Sequence, residues 1–292
     1  MELKKVLILG ATGMLGSACR QVLMSDTQLE IIGTSRNPSQ EFVELEALNC
    51  DLNFFLNQTE PTWIINCIGI IKPYINQNDP VTIENAIGIN SGFPFLLASA
   101  AKKIGAKVIQ IATDCVYSGV NGSYTESDLH DATDIYGKTK SLGEVPALNV
   151  MHLRASIIGP EVGRSTSLLE WFINQPKGAN LNGFTDHIWN GVTTHAFGKI
   201  CLGIINNNLF QPGLQHLIPK DKVTKAELLR IFARAFNRPD IVISDRINSK
   251  RIDRTLVTNN LDLNNSLWLQ AGYSSPPTIE EMVFEQARLK QF

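Results

Sequence analysis

Short apolar runs alternate with longer amphipathic stretches through the first half of the chain. Brief runs rich in Ile and Val are typical of parallel strands that are buried on both faces. The strands predicted in this way are Val6–Leu9, Glu30–Gly33, Trp63–Cys67, Lys107–Ala112 and Val150–Arg154. The stretches with helical character are Gly13–Met24, Val81–Lys103 and Tyr136–Glu144. This alternation predicts an α/β fold with a doubly wound parallel sheet.

The second half of the chain has a less regular pattern, because Pro and Gly interrupt it often. The predicted elements there are helices at Ser165–Asn174, Thr194–Asn206 and Ile279–Leu289, and a strand at Leu214–Ile218. Thr224 and Glu227 have the spacing of a capping box, which opens a further helix that ends near Ala235. This pattern predicts a smaller C-terminal lobe beside the sheet.

A glycine-rich turn follows the first predicted strand at once and opens the first helix. Its residues are Gly10, Ala11, Thr12, Gly13, Met14, Leu15 and Gly16. Gly10 permits a tight turn, Gly13 lets the backbone approach a pyrophosphate, and Gly16 lets the helix pack closely on the strand. The helix N-terminus adds N–H groups and the positive end of a dipole. The turn therefore predicts a dinucleotide-binding Rossmann domain over residues 1–155, with residues 156–292 as a substrate-binding lobe interleaved with the sheet.

The end of the second predicted strand indicates which dinucleotide binds. NAD-selective sites usually have an Asp or Glu at this place, which binds the ribose 2′-hydroxyl. This chain has Ser35 and Arg36 instead, a hydroxyl donor and a cation that suit a 2′-phosphate. We therefore expect NADP(H) in preference to NAD(H).

Three side chains form a candidate catalytic group. Tyr136 and Lys140 are four residues apart, so they share one face of a predicted helix. A free phenol has a pKa of about 10, and a neighbouring ammonium favours its phenolate form. Thr113 directly follows a predicted strand, and ligands of open α/β sheets bind beyond the carboxyl ends of the strands. We expect Thr113, Tyr136 and Lys140 to act on one substrate oxygen.

Composition and charge exclude several classes of protein. The chain has 292 residues, of which 43% are hydrophobic, and a formal net charge of -2 at pH 7. The apolar content excludes a disordered chain, and the charge argues against a nucleic-acid partner, which needs a basic face. The five Cys include no Cys-x-x-Cys pair and the five His form no close cluster, so we expect neither a disulfide framework nor a metal site.

The apolar pattern also predicts where the protein is found. No apolar stretch reaches the roughly 20 residues that a membrane helix needs. Lys4 and Lys5 before an apolar run resemble the start of a signal peptide, but Gly10, Gly13 and Gly16 interrupt that run. We expect a soluble cytoplasmic protein with reduced thiols and no membrane partner.

Together these motifs resemble the extended short-chain dehydrogenase/reductases over nearly the whole chain. The matching segments are Gly10–Gly16, Asp51-Leu52, Asn90, Ala112-Thr113-Asp114 and Tyr136–Lys140. Within that family the chain is similar to the branch of dTDP-4-dehydrorhamnose reductase and other sugar-nucleotide reductases. The resemblance implies that NADPH reduces the C4 keto group of a nucleotide-linked 4-keto-6-deoxy sugar, in deoxysugar or polysaccharide biosynthesis.

The resemblance implies roles for the catalytic residues and the cofactor site. Tyr136 would be the general acid, Lys140 would lower its pKa and hold the ribose, and Thr113 would bind the substrate carbonyl. Asp51-Leu52 would lie at the adenine. Cys67-Ile68-Gly69 would line the cofactor, although the family more often has a run such as Asn-Ala-Gly at that place.

On the substrate side, the resemblance implies a second set of residues. Asn90 would support the active-site region from its helix. Asp114 and Tyr117 would join Thr113 in binding the substrate. Trp189 would stack on a base or a sugar, or it would be a buried aromatic residue that fastens the two lobes, and the sequence leaves both interpretations open.

Two departures from the family pattern bear on the reaction and the sugar. Sugar-nucleotide dehydratases follow the threonine with Asp-Glu, whereas this chain has Asp114-Cys115. A thiol is a weak hydrogen-bonding group and a poor substitute for that carboxylate, so a dehydratase is disfavoured. His187 replaces the Gln of an Asp-Gln pair, and Trp189–Val192 replaces the tighter turn of a Gly-x-Pro-Thr segment, which leaves the identity of the sugar open.

Two other functions stay open at this point. A nucleotide-sugar epimerase uses the same tyrosine and lysine with a nicotinamide that it retains. A cofactor-binding regulatory subunit needs no chemistry, and the regulatory subunit of methionine adenosyltransferase resembles the same reductase branch. The family resemblance also implies self-association as a homodimer.

Overall fold

The computed structural model describes residues 3–37, 39–161 and 166–290. Its strands are β1 (Lys4–Leu9), β2 (Leu29–Ser35), β3 (Phe42–Glu44), β4 (Trp63–Asn66), β5 (Lys107–Ala112), β6 (Val150–Arg154), β7 (Ile157–Ile158), β8 (Asn180–Phe184), β9 (His187–Trp189), β10 (Val192–Thr193), β11 (Gly213–His216), β12 (Val223–Thr224), β13 (Val242–Arg246) and β14 (Ile252–Asp253). Its α-helices are α1 (Met14–Leu23), α2 (Leu52–Thr59), α3 (Pro80–Ile87), α4 (Phe93–Lys103), α5 (Ile135–Leu142), α6 (Leu168–Ile173), α7 (Thr194–Asn207), α8 (Lys225–Ala235), α9 (Leu261–Gln270) and α10 (Ile279–Lys290). Within these ranges, no helix is long and apolar enough to cross a membrane.

Seven parallel strands form the main sheet in the order β3-β2-β1-β4-β5-β6-β11. Val6 of β1 pairs with Ile31 of β2 on one side and with Trp63 of β4 on the other. The direction in which strands are added reverses between β1 and β4, which creates a crevice beyond their carboxyl ends. This sheet confirms the predicted α/β fold.

Helices cover both faces of the sheet and bury two apolar cores. On one face, Leu56 of α2 and Leu97 of α4 pack with Leu7 and Ile64 of the sheet. On the other face, the core extends from Ile8 and α1 through α7 to side chains of the C-terminal lobe, including Phe232 and Trp268. Because the second core is shared, the lobe packs directly on the sheet.

The C-terminal lobe consists of small sheets with helices against them. The strand order is β12-β9-β14 in one sheet, β13-β8 in a second and β10-β7 in a third. β11 also comes from the second half of the chain, yet it is the seventh strand of the main sheet. The structure thus interleaves the two parts of the chain, while the boundary near residue 155 stays a prediction.

The predicted and observed elements agree best in the first half of the chain. All five predicted strands of that half are present as β1, β2, β4, β5 and β6. The predicted helix Val81–Lys103 is divided, because a π-helical turn at Gly88–Gly92 separates α3 from α4. The short elements β3 and α2 of the first half were missed, as were α9 and the strands β7–β10 and β12–β14 of the second half. In the second half, the helix predicted from Ser165 is α6, and Ser165 itself lies outside the described residues.

Candidate active site

The glycine turn lies at the crevice, directly after β1. Gly10 has a φ of +74°, which L side chains rarely adopt, and Ala11 N donates to Thr34 O at 2.9 Å. Gly13 N donates to Gly10 O at 3.0 Å and closes the turn. A Cβ added at Gly16 would lie only 2.2 Å from Gly10 O, so α1 approaches the turn as closely as a glycine permits.

The start of α1 has the features of an anion-binding site. Gly13 is the N-cap, and its residue type provides no side-chain cap for the first amides of the helix. Thr12 is exposed and Met14 is half-buried, while Leu15 is buried in the core. The unpaired N–H groups and the helix dipole suit a pyrophosphate, so the turn fits a dinucleotide.

Two arginines lie near the end of β2. Ser35 is buried and its Oγ accepts from Asn37 N at 3.2 Å, while Arg36 is exposed. Arg20 of α1 was missed at the sequence level, and it lines a groove of about 460 Å³ beside Thr12. Its guanidinium lies 4.9 Å from the Phe42 ring centroid and 3.4 Å from a carboxylate oxygen of Glu41.

The residues predicted at the adenine have a structural role in addition. Asp51 is the N-cap of α2, and its Oδ1 accepts from Asn53 N at 3.0 Å and Phe54 N at 3.1 Å. Leu52 is buried in the core beneath that helix. An exposed carboxylate beside a buried leucine is compatible with the predicted adenine contact, which stays a prediction.

The segment after β4 leads from the cofactor side to the catalytic residues. Cys67 and Ile68 are half-buried and Gly69 is exposed. A Cβ added at Gly69 would lie 3.4 Å from Asn90 Oδ1 and 4.0 Å from Lys140 Nζ. The segment therefore borders Lys140, as its predicted place beside the cofactor requires.

Asn90 supports this segment from the π-helical turn. Its Oδ1 accepts from Ile70 N at 2.9 Å and its Nδ2 donates to Ile70 O at 2.9 Å. The same Nδ2 donates to Thr139 Oγ1 of α5 at 3.2 Å. π-Helical turns are frequent at functional sites, and this one joins the loop after β4 to the helix that carries Tyr136 and Lys140.

Thr113 and Asp114 follow β5 and lie in the interior of the site. Thr113 Oγ1 accepts from Cys115 N and donates to Asp114 Oδ1, both at 3.2 Å. Thr113 is also a neighbour of Tyr136 and acts to lower the pKa of that phenol, so the end of β5 and the start of α5 meet at these two side chains. Both Thr113 and Asp114 are more than nine-tenths buried.

Tyr136 and Lys140 lie one turn apart on α5, as predicted. Asp134 caps this helix by accepting from Gly137 N at 2.8 Å. Lys140 Nζ donates to Ile111 O of β5 at 3.2 Å. The structure thus brings Thr113, Tyr136 and Lys140 together beyond the carboxyl end of β5, near the crevice that holds the glycine turn.

Burial has opposite effects on the two ionisable groups. It raises the pKa of Tyr136 well above its usual value, and the charges of Cys115 and Asp114 add to the effect, whereas the neighbouring Thr113 hydroxyl opposes it. Burial lowers the pKa of Lys140 to about 8, against the attraction of Glu144 and Cys67. The expected lowering of the Tyr136 pKa is therefore absent here, because desolvation of the phenol dominates.

Two of the predicted substrate-binding residues, Tyr117 and Trp189, are buried and bond to other parts of the protein. Tyr117 is fully buried, and its hydroxyl donates to Thr125 O at 2.8 Å and accepts from Arg154 Nη1 at 2.5 Å. Trp189 is 5% exposed, belongs to the core shared by the lobes, and donates from Nε1 to Ser156 Oγ at 2.8 Å. Neither ring is open to a substrate, so Trp189 is the buried aromatic residue of the second interpretation.

Three cations at the catalytic end were missed at the sequence level. Lys72 pairs with Asp134 at 2.8 Å, and its Nζ lies 5.8 Å from the ring centroid of Tyr136. Lys225 and Arg254 come from the C-terminal lobe. Their charges interact with that of Cys115, but they belong to no local motif, so the sequence contains no signal for them. No group of His, Cys, Asp and Glu in the described ranges has the arrangement of a metal site.

The fold and the site define a class: a Rossmann dinucleotide-binding protein with a Thr, Tyr and Lys group at the carboxyl edge of its sheet. The chain belongs to the family of the RmlD substrate binding domain, whose model matches residues 4–159, more than half of the chain. This match confirms the resemblance to the sugar-nucleotide reductase branch.

Known relatives have this fold but not one common function. Methionine adenosyltransferase 2 subunit beta of Rattus norvegicus is 27% identical over 247 residues, covering 81% of this chain and 73% of its own. The crystal structure of a dTDP-4-dehydrorhamnose reductase from Clostridium acetobutylicum has a TM-score of 0.79 at 23% identity, covering 99% of this chain and 100% of its own. The Bacillus anthracis reductase, crystallised with NADP, has a TM-score of 0.78 at 19% identity, covering 98% of each chain. The relatives thus include both reductases and a regulatory subunit.

Proposed function

We propose that the protein is an oxidoreductase that uses NADPH to reduce the C4 keto group of a nucleotide-linked 4-keto-6-deoxy sugar. The observation that supports this most directly is the position of Tyr136 beside Thr113, with Lys140 one helical turn further and its Nζ donating to Ile111 O at the end of β5 at 3.2 Å. Two hydroxyl groups and a cation then converge on one position, as reduction of a carbonyl requires. The relatives that are dTDP-4-dehydrorhamnose reductases suggest the sugar.

The chain's own residues supply the proton and the electrostatic stabilisation. A nicotinamide cofactor, when bound, supplies the hydride. Because its pKa is raised, the Tyr136 phenol is protonated at pH 7 and can transfer its proton to the alkoxide that forms on the substrate. Lys140, with a pKa of about 8, is mostly charged at pH 7 and stabilises the phenolate that remains. When substrate binds, the Thr113 hydroxyl turns its proton from Asp114 Oδ1 to the same substrate oxygen.

The preference for NADPH belongs to this proposal. Ser35 and Arg36 at the end of β2 favour it, and Arg20 is a second cation in the groove beside the glycine turn. One relative was crystallised with NADP. The homodimer, the cytoplasmic location and the role of the second half as the substrate-binding lobe stay predictions.

Replacement of one hydroxyl tests the proposal. Tyr136→Phe removes the proton donor, so we expect turnover to fall by about 10²–10⁴-fold while the affinity for NADPH changes little. The matched control is Tyr273→Phe, since the Tyr273 hydroxyl contacts Glu285 in the lobe rather than the site. Full activity of Tyr136→Phe on a 4-keto sugar would contradict the assignment.

A regulatory subunit is the second candidate function, because the curated relative that covers 81% of this chain is a subunit beta. A stable partner in a pull-down, with no NADPH oxidation on any nucleotide-linked keto sugar, would favour it over the reductase. An epimerase would convert its sugar without net oxidation of NADPH. One assay that follows both NADPH and the sugar therefore separates the three functions.

A further inference from the structure

The segment after β4 is fixed beside the catalytic helix and leads to a lysine. Asn90 accepts from the N and donates to the O of Ile70, both at 2.9 Å. Lys72 then begins a 3₁₀ turn, Lys72–Tyr74, in which Ile75 N donates to Lys72 O at 3.1 Å. The backbone around Lys72 is therefore held by hydrogen bonds on both sides.

Asp134 joins this lysine to the first turn of α5. Its Oδ1 caps the helix by accepting from Gly137 N at 2.8 Å, and its Oδ2 accepts from Lys72 Nζ at 2.8 Å. Burial opposes ionisation of Asp134, but Lys72 and the Gly137 N–H outweigh it and lower the pKa of that carboxyl below its usual value. Asp134 is thus ionised at pH 7, and an anion suits the positive end of the helix dipole.

The capping anion lies close to the phenol that must lose its proton. Tyr136 follows Asp134 by two positions, and a Cβ added at Gly137 would collide with Cys115 O and Ala132 Cβ, so this turn is tightly packed. Burial is the main cause of the raised pKa of Tyr136, and the charge of Asp134 adds to it. The cap that stabilises α5 therefore makes the phenolate harder to form.

Other groups face Tyr136 from the end of β5. Cys115 and Asp114 both act to raise the pKa of Tyr136. Burial raises the pKa of Cys115 itself to about 11, so its thiol is uncharged at pH 7. Asp114 Oδ1 accepts from the Thr113 hydroxyl at 3.2 Å. Asp114 and Asp134 are therefore carboxylates whose charges oppose the ionisation of Tyr136.

Lys72 provides a cation directly at the ring. Its Nζ lies 5.8 Å from the centroid of the Tyr136 ring while it pairs with Asp134 at 2.8 Å. A cation over an aromatic ring is attracted to it, and the attraction grows when the phenol loses its proton. Lys140 lies one helical turn further along α5, where its Nζ donates to Ile111 O at 3.2 Å. The two lysines therefore have different partners, and Lys72 is the one that offsets the cap.

We propose that Lys72 neutralises the helix-capping carboxylate of Asp134 and thereby allows Tyr136 to give up its proton. The inference rests on the proposed function, because it concerns the proton that Tyr136 transfers to the substrate alkoxide. In that step the O–H bond of Tyr136 breaks, the proton joins the substrate oxygen, and the phenolate that remains would be repelled by an uncompensated Asp134. Lys72 acts through Tyr136 rather than on the substrate, so it is a positioning residue.

Single-turnover oxidation of NADPH, at pH 7 with saturating dTDP-4-dehydrorhamnose, tests the inference. We expect Lys72→Met to slow this step by about fivefold, the upper value for a partly exposed ion pair, with little change in the dissociation constant of NADPH. Lys72→Arg should restore most of the rate, because it keeps the charge. Lys138→Met, at an exposed lysine of α5, is the control and should keep the wild-type rate.

Asp134→Asn separates a balance of charges from a mechanical tether. Asparagine caps a helix about as well as aspartate, so α5 keeps its start while the charge that opposes the phenolate is removed. We expect this variant to react about two- to fivefold faster than the wild-type protein, and Lys72→Met/Asp134→Asn to react faster than Lys72→Met. A mechanical tether predicts instead that all three variants are slowed to the same extent.

A second readout needs no turnover. In ligand-free protein labelled with ¹³C at the tyrosine Cζ, the signal that disappears in Tyr136→Phe belongs to Tyr136, one of five tyrosines. Lys72→Met uncovers a negative charge near the ring and Asp134→Asn uncovers a positive one. The Tyr136 signal should therefore shift in opposite directions in the two variants.

Three results would overturn the inference. They are an unchanged rate in Lys72→Met, an equal loss of rate in Lys72→Met and Asp134→Asn, or a Tyr136 signal that stays in place or shifts in the same direction in both. Absence of NADPH oxidation by the wild-type protein would contradict the reductase, while opposite shifts of the Tyr136 signal would still support the balance of charges. The failures of the two proposals are therefore distinguishable.

Discussion

The two sides of the site are built in different ways. The cofactor side is formed mainly by backbone. The three glycines of the turn at Gly10–Gly16 have no Cβ, and this leaves room for close approach of the backbone. By contrast, the region below α5 is held together by a fully buried guanidinium, that of Arg154. Arg154 of β6 donates from Nη1 to His216 Nε2 at 2.9 Å and from Nη2 to His130 Nε2 at 2.8 Å.

Arg154 also joins several elements around the catalytic residues. It forms an ion pair with Glu144, just beyond α5, and bonds to the hydroxyl of Tyr117 after β5. Because each imidazole accepts at Nε2 from the guanidinium, each must be neutral and carry its proton on Nδ1. The Nδ1 atoms then donate at 2.7 Å, in His130 to Ser141 Oγ and in His216 to Val257 O.

The glycine turn and the Arg154 network are therefore sensitive to different kinds of substitution. Added atoms damage a site made of close backbone contacts, whereas lost side-chain atoms or altered protonation damage a buried polar network. The cofactor side should therefore be sensitive to small-to-large substitutions and insensitive to acid. The network below α5 should behave in the opposite way.

The largest effect is expected from Arg154→Met. The substitution leaves the Glu144 carboxylate and two imidazoles desolvated without their common donor, which should lower the free energy of unfolding by about 3–5 kcal/mol. Urea denaturation followed by circular dichroism measures the loss. Arg234→Met is the control, because its ion pair with Glu280 is exposed and worth below about 1 kcal/mol. Equal losses in the two variants would contradict the importance of the network.

Gly16→Ala tests the cofactor side. A Cβ at 2.2 Å from Gly10 O forces the turn or the helix to move, at about 1–3 kcal/mol, and should greatly weaken NADPH binding. The measurement combines urea denaturation with a fluorescence titration of NADPH. Ser99→Ala, at an exposed position of α4, is the control and should have little effect on either. Tight NADPH binding by Gly16→Ala would contradict the close approach of α1 to the turn.

These two regions also differ in how far the sequence predicts them. The glycine turn and the pair Tyr136 and Lys140 are local patterns whose spacing follows from one helix, so their positions were predicted correctly. The network of Arg154 joins single residues from separate elements, and no local pattern marks them.

The errors at the sequence level have physical reasons as well. Tyr117 was assigned to the substrate, and Trp189 was left open between a substrate contact and a buried position, because an aromatic residue with a polar atom suits a buried position with one hydrogen bond equally well. α2 was missed because Leu52–Thr59 is short and rich in Asn and Gln, and its start depends on the Asp51 cap. The preference for NADPH stays a prediction, because it depends on Arg36, whose side chain is exposed.

Acid should weaken the network but not the turn. Burial and the charge of Arg154 lower the pKa of His216 to about 4, below the value of about 6.5 expected in the unfolded chain. The unfolded chain then binds more protons between these values, so the free energy of unfolding falls as the pH falls from about 6.5 to 4. For this one group the loss at pH 5 relative to pH 7 is about 2 kcal/mol.

His216→Gln isolates this contribution, because an amide can accept from Arg154 and donate to Val257 O without titrating. Urea denaturation at pH 7 and pH 5 should show a smaller difference in the variant than in the wild-type protein. His187→Gln, at a half-buried histidine of β9, is the control and should keep the wild-type difference. An unchanged difference in His216→Gln would contradict the neutral state of His216.

The smallest effect is expected at the edge of the cofactor side. Arg36 is exposed, so Arg36→Ala should raise the dissociation constant of NADPH by about tenfold, the lower end for a charge-assisted hydrogen bond, and leave that of NADH unchanged. Arg288→Ala, at an exposed arginine of α10, is the control. Arg20→Gln should have a weaker effect than Arg36→Ala, because Glu41 and the Phe42 ring already offset the charge of Arg20. Equal losses for NADPH and NADH in Arg36→Ala would mean that Arg36 supports the turn rather than reads the 2′-phosphate.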